Sequence, residues 1–98
     1  MNNIKLVYYD SSAMTQEQIE GTLSKLSIRS FYSIRIGLIL ISSEYTSKEL
    51  FELLMPKEIM FNLFIVDISI KNGTYWGYMD KKLWEWLMAN LYKNNLLL

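Results

Sequence analysis

The chain offers few side chains that could do chemistry, and their types narrow the choice quickly. There is no histidine and no cysteine among its 98 residues. That removes the commonest general base, the commonest zinc ligand, thiolate metal sites, disulfides and every Ser-His or Cys-His pairing. Ser11, Ser12, Ser42 and Ser43 have no histidine or suitably placed lysine to activate them, so they read as turn serines. Asp10 closes an apolar run and precedes Ser11-Ser12, the pattern of an Asx turn or a helix cap. Asp67 falls inside the apolar stretch 63–69, where a lone charge is costly to bury, and an ion pair with Arg29 or Arg35 is expected. Gly21, Gly37, Gly73 and Gly77 are isolated, and no GxxxxGK or GxGxxG loop cradles a phosphate. Lys25, Arg29 and Arg35, with Phe31 and Tyr32 between them, form a thin basic strip with aromatics. Single-stranded nucleic acid uses such a surface, but three cations fit a solvated edge better.

The elements that must position these residues follow from apolar spacing. Residues 4–9 (Ile4, Leu6, Val7, Tyr8, Tyr9) read as a first strand. Thr15-Gln16-Glu17-Gln18 has capping-box form, and Ile19, Leu23 and Leu26 follow at helical spacing, which predicts a helix over 16–26. In 28–42 the natural break is Arg35-Ile36-Gly37, giving strands over 31–34 and 37–42 in a hairpin. One long bent strand is the competing reading. Thr46-Ser47-Lys48-Glu49 is a second capping box, and Met55-Pro56 ends the helix that it opens. A strand over 63–69, a turn at Asn72-Gly73, a short strand or ordered loop over 74–79 and a helix over 81–92 capped by Asp80 complete the chain. The expected class is α+β: a ferredoxin-like βαββαβ domain with an extra short strand and a C-terminal helix.

The size, with half the residues apolar (51%), suits a single core. Ten basic and ten acidic side chains cancel, which weighs against a general nucleic-acid binder. No apolar run is long enough for a signal peptide or a membrane span, so a cytoplasmic protein without a membrane partner is expected. The terminal helix is the most unusual segment. Leu83, Trp84, Trp86, Leu87, Met88, Leu91 and Tyr92 cover roughly 240° of its surface, where one sheet face needs an arc of about 100° or somewhat more. Its second side is covered either by Tyr75, Trp76 and Tyr78 or by a partner chain. The interface candidates are therefore Trp76, Tyr78, Trp84, Trp86, Met88 and Tyr92.

Several short stretches resemble those of a known group: Leu6-Val7-Tyr8-Tyr9-Asp10, Phe31-Tyr32, Gly37-Leu38-Ile39-Leu40-Ile41, the helix over 47–56, the strand over 63–69, and Trp76-Gly77-Tyr78 followed by Lys82-Leu83-Trp84-Glu85-Trp86-Leu87. The chain resembles the small ferredoxin-fold proteins related to the ribonuclease-like subunit of the CRISPR adaptation complex, and especially their SinR-like bacterial and phage cousins. The resemblance implies a homodimer in which the strand-end aspartate, here Asp10, meets its twin around a divalent cation such as Mg²⁺ in the nuclease members. The arginines those members place at the start of the first helix are replaced here by Thr15-Gln16-Glu17-Gln18.

The expected function is accordingly a non-enzymatic, homodimeric interaction module without a cofactor. Its partner is expected to be a protein or ribonucleoprotein, with nucleic acid not favoured. A phage or mobile-element inhibitor of a host defence system, such as an anti-CRISPR protein, is one concrete form. The alternatives are a Mg²⁺-dependent endoribonuclease using Asp10 from two subunits and a toxin–antitoxin component.

Overall fold

The computed structural model describes residues 3–58, 60–68, 77 and 79–95, the last five through their backbone. Seven elements follow in order: β1 (Asn3–Tyr9), α1 (Gln16–Lys25), β2 (Phe31–Arg35), β3 (Leu38–Ser43), α2 (Ser47–Leu54), β4 (Leu63–Asp67) and α3 (Lys81–Asn95). The expected Asn72-Gly73 turn and the strand or loop over 74–79 lie outside the described residues.

Both capping boxes form. The Thr15 hydroxyl accepts from the Gln18 amide at 3.1 Å while Gln18 Oε1 accepts from the Thr15 amide at 2.9 Å. Thr46 and Glu49 reciprocate at 3.1 and 2.8 Å. At its other end α1 closes in a Schellman motif: the Ile28 amide donates to the Leu23 carbonyl and the Ser27 amide to the Ser24 carbonyl. Ser27 takes the left-handed position at φ 62°, where glycine is usual. The hairpin expected at Arg35-Ile36-Gly37 is present. Gly37 has φ 91°, and a Cβ there would meet the Tyr9 carbonyl oxygen at 3.2 Å. A register shift between Ser33 and Arg35 absorbs the mismatch between this turn and the paired strands.

The four strands form an antiparallel sheet in the order β2-β3-β1-β4, a split βαβ arrangement compatible with a ferredoxin-like one. The sheet is covered on both faces. Val7, Tyr9, Ile39 and Ile41 pack against Ile19 and Leu23 of α1 and Leu50 and Leu54 of α2. Strand alternation turns Ile4 and Leu40 the opposite way, where Leu83 and Leu87 of α3 bury them.

The neighbours expected for Asp67 are corrected. Its carboxylate meets Lys5 Nζ at 3.2 Å and accepts from Ser47 Oγ at 3.0 Å, rather than pairing with Arg29 or Arg35. The sheet order explains this. Lys5 and Asp67 are direct partners in the β1–β4 register, whereas Arg35 ends β2 and Arg29 precedes it, at the far edge of the sheet. The Lys5 side chain is 1% exposed, and the Asp67 carboxylate at its tip is 61% exposed. The apolar stem is thus covered while its charge meets a counter-ion at the rim.

Candidate interaction face

Asp10 sits where β1 ends, and its local bonds explain its conformation. Its Oδ1 accepts from the Ser12 amide at 3.0 Å and the Ser12 hydroxyl at 2.7 Å. Its carbonyl accepts from the Ala13 and Met14 amides, both at 3.0 Å. This is an Asx turn of the kind read from Asp10-Ser11-Ser12. The Ser12 hydroxyl, and then its amide, hold the Asp10 carboxyl below the ordinary aspartate value. Asp10 and Ser11 form one wall of a shallow cleft of about 370 Å³, with Arg35, Ile36, Gly37 and Leu38 opposite. Among the described residues, no group of three or more acidic side chains gathers where it could hold a metal ion. Asp10 as it stands therefore builds a turn.

The residues of the basic strip are spread over several elements. Lys25 ends α1, and Arg29 lines a groove of about 630 Å³ with Ser27, Ser30, Ser42, Ser43 and Tyr45. Arg35 lies six residues beyond Arg29, past the whole of β2, roughly 20 Å away for an extended chain. Tyr32 is half-buried and packs into the cluster beneath α3.

The α3 residues expected at an interface divide. Trp84 and Trp86 are half-buried against the cluster formed with the sheet, on either flank of Leu83 and Leu87. Met88 is 49% exposed. Trp76, Tyr78 and the Tyr92 side chain lie outside the described residues. Asn90, which carried no expectation, is a buried anchor. Its amide donates to the Trp86 carbonyl at 2.8 Å, and its Oδ1 accepts from Ser30 Oγ at 2.9 Å, tying α3 to the start of β2.

Among the described residues, one exposed aromatic pair lies outside the residues expected at an interface. Tyr8 and Phe64 face each other across β1 and β4 and are 48% and 64% exposed. Tyr8 shares the face of Ile4 and Leu6, which α3 covers, but it lies beyond the reach of that cover. Ile36 at the hairpin tip and Met60 before β4 are also exposed. Alternation together with the β1–β4 register places Tyr8 and Phe64 on one face. Where α3 stops covering that face is a tertiary fact that no local pattern carries.

No family model, curated protein or solved structure matches the chain. The arrangement of its own residues is therefore the ground for a functional reading.

Proposed function

We propose that this protein is a non-catalytic protein-interaction module of ferredoxin-like fold, which binds through the corner of the sheet bearing Tyr8 and Phe64. One observation carries the reading: two large aromatic side chains stand opposite each other on adjacent strands, more exposed than a core would leave them. Tyrosine and phenylalanine bury much apolar area at little entropic cost, which is why aromatic residues are enriched at interfaces. The zero net charge suits a protein surface better than a phosphate backbone. The resemblance to bacterial and phage proteins supports one concrete form, an inhibitor acting on a host protein or ribonucleoprotein complex.

The test compares the wild type with the Tyr8→Ser/Phe64→Ser double variant, each immobilised and exposed to the same lysate. Proteins retained by the wild type are expected to be lost from the variant while far-UV circular dichroism stays unchanged. Equal retention by both removes the corner as the binding surface. Mg²⁺-dependent RNA cleavage by the pure chain, abolished by Asp10→Ala, would overturn the non-catalytic reading.

A further inference from the structure

The two edges of the sheet are finished differently. The strand order leaves β2 outermost on one side and β4 on the other. β2 carries devices that blunt an edge: a register shift between Ser33 and Arg35, and the exposed Arg35 at its end. β4 carries neither. Its register with β1 runs unbroken from the Lys5/Asp67 pair to the Tyr9/Leu63 pair. Leu63-Phe64-Ile65-Val66 holds no proline, glycine or lysine, and none of the four is fully buried. The one charge on β4, Asp67, is turned to Lys5 and Ser47. Among the described residues, no strand pairs with the outer side of β4.

Ladder geometry fixes which backbone groups that side presents. The Asp10 amide donates to the Asn62 carbonyl at 2.9 Å, and the Ile68 amide to the Ile4 carbonyl at 3.0 Å. Hydrogen-bonded and non-hydrogen-bonded pairs alternate along an antiparallel ladder. Asn62, Phe64, Val66 and Ile68 therefore turn their backbone groups toward β1. Leu63, Ile65 and Asp67 turn theirs outward, each an N–H beside a C=O.

We propose that this edge docks an extended peptide segment of a partner protein, which joins the sheet as an added antiparallel strand. Strand addition here rests on the reading of the Tyr8–Phe64 corner as an interaction surface, and it names the form that the partner takes. The chemistry selects a polypeptide. Each outward residue needs an acceptor and a donor together, repeated at every second position. A phosphate backbone accepts without donating, and would leave the carbonyls of Leu63, Ile65 and Asp67 unanswered. Side chains then select among peptides. Phe64 and Val66 lie in non-hydrogen-bonded pairs with the added strand, where opposed side chains come closest. An aromatic or β-branched residue opposite Phe64, and another two positions away opposite Val66, extends the Tyr8–Phe64 row by one strand. On the other face, Leu63 and Ile65 already pack against the cluster under α1 and α2 and offer their outer flanks to apolar residues of the peptide.

Amide hydrogen exchange of the full chain, followed residue by residue by NMR, tests this. In the free protein, the amides of Leu63, Ile65 and Asp67 are expected to exchange faster than those of Phe64 and Val66. The probe is a synthetic peptide selected from a phage-displayed library of random linear peptides panned on the immobilised chain. At saturation it should slow the three outward amides by about tenfold or more, with Phe64 and Val66 little changed. Ile65→Pro removes one outward amide and no bond to β1, so it should lose the peptide. The exchange pattern of the wild type decides the matter even where that variant fails to fold. Slow exchange at Ile65 in the free chain overturns the proposal, because the edge is then already covered. A library that yields no binder, or a peptide that binds without protecting the three amides, overturns it as well. If retention of lysate proteins depends on Tyr8 and Phe64 while no peptide protects the outward amides, strand addition falls and the corner reading stands.

Discussion

Tyr9 is fully buried in the core beneath α1 and α2, and its hydroxyl is the one buried side-chain polar atom among the described residues without a partner. An unsatisfied hydroxyl in an apolar setting forfeits its hydrogen bonds to water and gains nothing in return. Tyr9→Phe is therefore expected to raise stability by about 1 kcal/mol, read as a higher urea midpoint at unchanged slope. A lower midpoint would mean that the hydroxyl has a partner in solution. Asp10, one residue on, shows how much a local motif can reveal. Asp-Ser-Ser after an apolar run carries its turn in the sequence, because both donors come from two residues away. Asp67 was harder to read. Its need for a cation followed from its apolar neighbours, but which cation depended on strand order. Lys5 is 62 positions away in sequence and one hydrogen-bonded ladder away in space.

At the scale of elements, the helix starts were the most legible features, since Thr15-x-x-Gln18 and Thr46-x-x-Glu49 are complete within four residues. The end of α1 was less so. The sequence places Ser27 where a Schellman motif usually has glycine, and the left-handed conformation at φ 62° strains any residue with a Cβ. Ser27→Gly is expected to stabilise the fold by about 1 kcal/mol. For a domain of this size that is an increase in Tm of roughly 4–8 °C by calorimetry. No gain would indicate that the Ser27 side chain makes a compensating bond. The hairpin was marked only by Gly37, and the structure shows why one glycine was enough. Gly37 is the only position of the Arg35–Leu38 turn with positive φ, and the adjoining bulge takes up the rest. α3 was legible as a broadly apolar helix, but not which sheet face it takes. That depends on α1 and α2 already filling the other one.

At the scale of the whole molecule, the Lys5–Asp67 pair ties the central strand to the edge strand beside it. The Lys5 ammonium, followed by the Ser47 hydroxyl, holds the Asp67 carboxyl below the ordinary aspartate value. Asp10 and Glu49 are lowered too, each by bonds within its own turn or cap. A carboxylate whose pKa is lower in the folded chain stabilises it above the unfolded value, near 3.9 for aspartate. That contribution fades as pH falls through the lower folded value. Thermal stability is expected to be level from neutral pH to about pH 5 and to fall below about pH 4. The acid slope should be shallower in Asp67→Asn, and an identical slope in that variant would assign the acid sensitivity to the turn and cap carboxylates instead. At neutral pH, Asp67→Ala strands a buried lysine and is expected to cost about 1–3 kcal/mol. Adding Lys5→Met should recover part of that loss.

The position of β1 between β3 and β4 also bears on how the chain is made. β1 leaves the ribosome before both of its partners, pairing on one side with Leu38–Ser43 and on the other with Leu63–Asp67. Its pairing cannot be completed until Asp67 has been made, which lengthens the loops that must close before the sheet forms. A nascent chain stalled before β4 presents the free edge of β1, with Leu6 and Tyr8 along it, to whatever strand comes near. Synthesis should therefore be the stage at which this small domain most needs a chaperone, and aggregation of fragments ending before residue 63 is the sign to look for.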